Sequence, residues 1–358
     1  MSEHKTPQEP SNIIMTDLYQ SAAKIYVRRV RGYFRNLRFF GGVFLFAAYF
    51  GTLWLNWGDR QAVLFDLPKR QFHIFGVTFW PQDFILLSWA LIISAFALFF
   101  ITVFAGRVFC GYTCPQSVFT WVFLFIEEKT EGKRNARIKL DKQGLSGIKI
   151  LRKAFKHLLW VLVALATAIT FVGYFVPIKE LLLDLAHLSA GGWVIFWIAF
   201  FTLATYGNAG WLREQVCIYM CPYARFQSVM FDRDTLIVSY DAARGESRGA
   251  RRRDGDPAEL GLGDCIDCDL CVQVCPTGID IRDGLQYECI GCAACVDACD
   301  SVMEKMGYDS GLVRYTTENK LEGGQSSLMR PRLLAYAAAL VLMTIAFALV
   351  LFSRVPIE

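Results

Sequence analysis

Five long apolar runs punctuate the chain, at residues 39–57, 84–108, 158–177, 193–212 and 333–352, and the polar stretches between them are mostly short. Each run has about the 20 residues that a helix needs to cross the hydrocarbon core of a bilayer. The last carries no charge from Leu333 to Phe352 and begins just after Arg330 and Arg332. One such run can be a core helix of a soluble protein, whereas five predict an α-helical integral membrane protein. Between the fourth and fifth runs the pattern breaks for 213–332, where polar and glycine-rich segments prevail.

Flanking charge orients the spans. Arg28, Arg29, Arg31, Arg35 and Arg38 precede the first run, which favours a cytoplasmic N-terminus. Alternation then puts 58–83 outside, 109–157 inside, 178–192 outside, 213–332 inside and the C-terminus outside. Glu127 to His157 holds ten Lys/Arg against four Asp/Glu, whereas Lys179 to Ala190 holds one Lys against Glu180 and Asp184. Both counts agree with that order. The opening Met1–Pro10 lacks the regions of a cleavable signal, so the first span is expected to stay as an anchor.

Composition adds little to this picture: 54% of residues are hydrophobic and the mean hydropathy is +0.34. The net charge of +4 is small and accounted for by arginines beside the spans, which argues against a nucleic-acid partner and leaves the lipid bilayer as the first.

The chemistry lies in the cysteines. Cys265-x2-Cys268-x2-Cys271-x3-Cys275-Pro276 is answered by Cys289-x2-Cys292-x2-Cys295-x3-Cys299. This is the spacing of a bacterial two-cluster ferredoxin, in which three thiolates hold one cluster and the fourth reaches the other. Cys265, Cys268, Cys271 and Cys299 are therefore expected on one 4Fe-4S cluster, and Cys289, Cys292, Cys295 and Cys275 on the second. Zinc accepts four thiolates too, but its sites use paired ligands across a longer loop. Asp300 stands where a proline commonly follows the last cysteine. All twelve cysteines fall on the expected reducing side, which disfavours persistent disulfides.

Four cysteines remain. Cys110-x3-Cys114-Pro115 follows the second span and Cys217-x3-Cys221-Pro222 follows the fourth. On helical backbone, i,i+4 spacing puts two sulfurs on one face, and two such pairs could surround a soft ion such as Cu(I). Helix packing is the plain alternative. Met220 is a weaker candidate ligand. Arg107 and Arg213 are placed either to lower thiol pKa values or to anchor span ends. His73, within 72–83, marks either an aromatic headgroup anchor or an interfacial quinone pocket. His4, His73, His157 and His187 supply no transmembrane haem pair. Gly207, Asn208 and Gly210 permit close helix approach. The charged segment 244–257 reads as a surface connector.

The resulting layout is a cytoplasmic segment 1–38, a four-helix membrane region 39–232 carrying both cysteine pairs and a connector 233–260. A cytoplasmic α+β dicluster ferredoxin core spans 261–304 and a return segment 305–332, followed by a fifth span 333–352 and a periplasmic tail 353–358.

Spans, pairs and insertion together resemble the FixG/RdxA/CcoG family of cytochrome c oxidase accessory proteins. That resemblance implies a bacterial inner-membrane location and reduction of Cu(II) to Cu(I) for copper-centre assembly of a cbb-type oxidase. Cys110, Cys114, Cys217 and Cys221 would be the reducing site and the eight later cysteines the cluster ligands. It also implies an external electron donor, with quinol a candidate, and partners among copper transporters or chaperones and oxidase assembly factors. Members commonly continue into a periplasmic immunoglobulin-like domain, so a chain ending at Glu358 is expected to be truncated. Two further readings stand beside it: a quinol-oxidising electron-transfer protein similar to the NapH group, and a noncatalytic copper-binding scaffold.

Overall fold

The computed structural model describes residues 24–253, 255, 259–327 and 329–353. Met1–Pro10 with His4, most of the expected tail 353–358, and Asp254, Asp256 and Pro257 of the charged segment lie outside the described residues.

In chain order, α1 (Tyr33–Gly51) leads into two small antiparallel sheets. These are β1 (Asn56–Trp57) with β2 (Arg60–Gln61), and a meander of β3 (Val63–Asp66), β4 (Gln71–Ile74) and β5 (Val77–Phe79). Then come α2 (Phe84–Ala105), the short α3 (Val108–Tyr112), α4 (Pro115–Glu131), α5 (Arg134–Lys142), α6 (Gly147–Gly173), α7 (Ile178–Ala186) and α8 (Gly192–Tyr206). The chain continues in π-helical turns at Gly207–Leu212 and Val216–Met220, and then α9 (Pro222–Met230). A lobe follows, with β6 (Ile237–Tyr240), α10 (Ala242–Gly245), α11 (Leu270–Gln273), α12 (Ala294–Met306), β7 (Val313–Thr316) and α13 (Glu318–Leu321); α14 (Pro331–Phe352) closes the described chain.

Among the described residues six helices are long and apolar enough to cross a membrane: Tyr33–Trp54, Pro81–Ala105, Val108–Glu131, Gly147–Gly173, Gly192–Leu212 and Pro331–Phe352. Five coincide with the expected spans. The sixth, built on α4, lies where a polar loop is expected from sequence. The cysteines, Pro115 and the charges at Glu127–Lys129 shorten its apolar run below span length, yet Pro115 is suited to the first turn of a helix and α4 starts there. Helix α6 starts eleven residues before the apolar run at 158, because the Ser146 side chain caps it through the Lys149 N–H at 3.3 Å.

Helix α6 packs between α4 and α8, and α2 packs on α14. Phe123 and Trp160, both buried, stack at 5.3 Å, and Trp160 Nε1 donates to the Phe123 carbonyl at 3.0 Å. Gly210 lies against the same indole, where a Cβ would sit 3.1 Å from the ring. This is the close helix approach expected of it.

An ion cluster closes the end of α4. Glu127 and Glu131 are fully buried. Glu127 meets Arg213 at 2.5 Å, Lys24 at 3.1 Å and Arg137 at 3.7 Å; Glu131 meets Lys156 at 2.8 Å and Lys153 at 3.2 Å. Such buried charges persist only when paired. Arg213 is therefore a counterion of Glu127. It holds a backbone φ of 43°, and its Nε donates to the Gly210 carbonyl at 2.9 Å.

In the lobe, β6 pairs antiparallel with β7, Tyr240 opposite Val313, over a core of Val238, Ile281, Val296, Val302, Met303 and Leu312. One strand comes from the expected connector and the other from the return segment, so the folded lobe reaches beyond 261–304. Its α12 also caps the first long helix. The buried Asp297 accepts the backbone N–H of Phe34 at 3.1 Å and of Arg35 at 2.7 Å.

Candidate metal centres

The two cysteine-rich loops are folded alike. Cys265-Ile-Asp-Cys268-Asp-Leu-Cys271 has left-handed backbone at Asp267 and Asp269, and Cys289-Ile-Gly-Cys292-Ala-Ala-Cys295 has it at the matching Gly291 and Ala293. Alternation of this kind turns successive N–H groups inward to make an anion-binding concavity, which suits a cluster ringed by thiolates. A helix starts one residue before the third cysteine of each loop, the four-residue α11 at Leu270 and the 13-residue α12 at Ala294.

The thiols sort into two neighbourhoods. Cys299 lies within electrostatic reach of Cys271 and Cys265, and Cys271 of Cys268. Cys275, Cys289, Cys292 and Cys295 lie within reach of one another, and they line one cavity together with Cys271. Cys275 is thus grouped with the second run's three and Cys299 with Cys265 and Cys271 of the first. Among the described residues no three His, Cys, Asp or Glu side chains close on a point as a single ion requires. Cysteines are the only His, Cys, Asp or Glu side chains in that lining, and a set of thiolates alone fits a polynuclear iron-sulfur cluster. Burial pushes the thiols of Cys271, Cys289 and Cys299 up to about 12, and those of Cys275 and Cys295 up as well. Metal binding must therefore displace their protons. Asp300, in place of the common proline, accepts the Gly311 N–H at 2.8 Å and fixes the turn into β7.

The other four cysteines do not sit on continuous helix as the i,i+4 spacing implies. Cys110 is in α3, but Cys114 is extended and precedes α4; Cys217 is in a π-helical turn, but Cys221 is extended and precedes α9. Each proline restricts the residue before it to extended backbone, so the second cysteine of each pair leaves the helix. The pairs nonetheless meet: Cys217 is within electrostatic reach of Cys110, Cys114 and Cys221. Burial, then Cys114 and Cys221, push the Cys217 thiol up to about 11. Cys110 Sγ points to Oε1 of the fully buried Gln227 at 3.4 Å. Met220 is 60% exposed and turned away from any buried role.

This thiol group abuts the lobe. At Gly111 a Cβ would lie 2.9 Å from the Cys292 Cα and 2.9 Å from the Ile290 carbonyl, so only glycine admits that loop. Arg107, 8% exposed, joins three segments: it donates to the Tyr287 carbonyl, to the Cys289 carbonyl at 3.3 Å and to the Ala224 carbonyl beyond Pro222 at 2.9 Å. Its guanidinium also lies over the Tyr287 ring at 4.9 Å. Tyr112 and Tyr315 hydroxyls meet at 3.2 Å across the same seam. Sequence reasoning did not find the roles of Asp297, Gln227 and Tyr315. Gly111, beside Cys110, is the residue that could have signalled this close approach.

Comparison with known proteins agrees with these centres. A family described as "4Fe-4S dicluster domain" matches residues 212–318, and one described as "4Fe-4S binding domain" matches 87–129. Protein RdxB of Cereibacter sphaeroides is 41% identical over 96% of this chain and 75% of its own length. The chain belongs to the FixG/RdxA/RdxB family. Nitrogen fixation protein FixG of Rhizobium meliloti and Protein RdxA of C. sphaeroides are each 42% identical, over 84% and 83% of this chain. The chain spans 58% of the length of FixG and 63% of RdxA. No solved structure matches. As a member of this family with these apolar helices, it is a membrane-associated 4Fe-4S electron-transfer protein.

His73 is buried on β4, with Nδ1 2.9 Å from the Thr78 hydroxyl. His157 Nδ1 lies 2.9 Å from the Tyr206 hydroxyl, and His187 ends α7.

Proposed function

We propose that this protein is a cupric reductase: it holds two 4Fe-4S clusters in its lobe and reduces Cu(II) to Cu(I) at Cys110, Cys114, Cys217 and Cys221. The clusters, when bound, supply single electrons. Cys265, Cys268, Cys271 and Cys299 hold one and Cys275, Cys289, Cys292 and Cys295 the other. The observation that carries this reading is the seam: Gly111, next to Cys110, touches the backbone of Cys292, and Arg107 ties Cys289 to the segment following Cys221. Soft sulfur favours Cu(I) over Cu(II), so the four thiols draw the substrate toward its reduced state, and ligand exchange releases it. The product would serve copper-centre assembly of a cbb-type oxidase.

We read five membrane crossings from a cytoplasmic N-terminus, with the lobe in the cytoplasm and the C-terminus in the periplasm, on the charge that flanks the spans; α4 is then the apolar helix that does not cross. Its N-terminal end joins α3 at the lobe that caps α1. Glu127 and Glu128 at its other end pair with Lys24 and Arg29, just ahead of α1. Val118 and Phe119 near its start pack on Gly42 and Phe46 in the middle of α1, so α4 runs antiparallel to α1 and ends beside the segment that precedes it.

A second reading has a specific observation in its favour. The match over 87–129 carries a 4Fe-4S description and includes Cys110 and Cys114, and four thiols suffice for a third cluster. The test is anaerobic: dithionite-reduced protein is mixed with Cu(II), and cluster bleaching and Cu(I) formation are followed together. Copper-dependent reoxidation that is lost in Cys110→Ser and Cys217→Ser at unchanged iron content supports the reductase. Full reoxidation in those variants refutes it.

A further inference from the structure

A cavity of about 150 Å³ lies where α1, α4 and the preceding segment 27–30 meet the lobe. Its walls have two characters. Val30, Val118, Trp121, Leu124, Phe125 and Ile290 make an apolar and aromatic side, six arginines face two glutamates, Glu128 and Glu214, on another, and Gly111 and Cys217 bring the edge of the thiol site into the lining.

The cations are not all satisfied. Among the described residues, Arg137 is 2% exposed, yet its Nε and Nη1 make no hydrogen bond, and the buried Nε of Arg38 makes none either. Arg137 has a carboxylate only at 3.7 Å, and that carboxylate, Glu127, is engaged more closely by Arg213 and Lys24. Arg29, Arg31 and Arg38 lie within electrostatic reach of Arg35. Buried donors without acceptors beside an arginine surplus call for an anionic, oxygen-rich ligand.

We propose that the cavity binds the head group of an anionic phospholipid, whose acyl chains leave along the apolar flank of α1 and α4. An amphiphile accounts for both kinds of wall, as neither a free anion nor a neutral apolar molecule does. The cavity admits a phosphodiester head and not a whole lipid, and the exposed Leu37, Phe40 and Phe44 of α1 offer an apolar surface nearby. Basic pockets at the cytoplasmic ends of membrane helices take acidic lipid in this way. Because Pro276, Thr277 and Ala294 of the lobe form part of the lining, the bound head group joins the lobe to the helices.

The test uses the full chain in neutral detergent, titrated calorimetrically with short-chain phosphatidylglycerol, short-chain phosphatidylcholine, inorganic phosphate and a short-chain ubiquinone. Saturable phosphatidylglycerol binding, at least tenfold tighter than phosphatidylcholine and weakened about tenfold by Arg38→Gln, is expected. Arg38 makes no hydrogen bond through its Nε, so R38Q is expected to fold. Arg35→Gln is the second variant, with the same result expected. Equal binding of the two lipids, equal affinity in both variants and wild type, phosphate binding as tightly as the lipid, or quinone binding that displaces the lipid without regard to Arg38 would each overturn the proposal.

Discussion

Replacing Asp297 with alanine removes the only side chain that ties the start of α1 to the cluster-binding helix through backbone hydrogen bonds among the described residues. Two N–H groups of the first turn of α1, on Phe34 and Arg35, lose a charged acceptor at 3.1 and 2.7 Å. Loss of an N-terminal cap costs about 0.5–2 kcal/mol, and hydrogen bonds to a charged group are worth about 1.5–3 kcal/mol each before water substitutes. The site is partly buried, so water replaces only part of what is lost, and about 2–3 kcal/mol is expected for Asp297→Ala. Asn keeps one acceptor oxygen but not the charge, and about half that loss is expected. The assay is anaerobic urea titration of the cluster-loaded protein, following visible cluster absorption and tryptophan fluorescence together. Cluster absorption should be lost at lower urea in the order wild type, Asn, Ala. Identical midpoints for wild type and D297A would refute the role given to this carboxylate.

Gly111→Ala should lower Cu(II) reduction at least tenfold with iron content unchanged, because the new methyl meets backbone of Cys292 at 2.9 Å and must push the seam apart; Gly144→Ala, in open space, should change nothing. Glu131→Ala leaves the buried Lys156 without its carboxylate, while Lys153 keeps Asp141, and should destabilise by about 3–5 kcal/mol in thermal unfolding, with Glu131→Leu/Lys156→Met recovering most of it. Burial raises the Asp141 carboxyl, but hydrogen bonds from Lys153, Lys24 and Tyr26 outweigh it and hold the group well below the usual carboxylate range. A depressed carboxyl stabilises above its unfolded value of about 3.9 and loses that contribution as pH falls through the folded value. The advantage of wild type over Asp141→Asn, about 1–2 kcal/mol, should therefore be flat from pH 8 to 5 and shrink below pH 4 in fluorescence-monitored melts.

Cluster spacing and long apolar runs are local signals, so the eight lobe cysteines, the two cysteine pairs and five of the six long helices were legible from sequence. What was not legible depends on partners distant in the chain. Helix α4 hides behind Pro115 and its terminal charges, because Glu127 and Glu131 look like loop residues until Lys24, Lys153, Lys156 and Arg213 arrive to neutralise them. The helical geometry inferred for Cys110/Cys114 and Cys217/Cys221 failed for a local reason, the extended backbone that each following proline imposes. Arg107 reads as an anchor at a span end, and its clasp on Tyr287, Cys289 and Ala224 appears only once the lobe folds back onto the seam.

The division of labour among the twelve cysteines is tested most directly by iron and acid-labile sulfide per chain, measured anaerobically in wild type and in the variant with Cys110, Cys114, Cys217 and Cys221 all changed to serine. Two cubanes held by the lobe alone predict about eight irons in both proteins. About four or fewer in wild type would contradict the paired-cluster lobe, and about twelve falling to eight in the variant would contradict a seam kept free for copper.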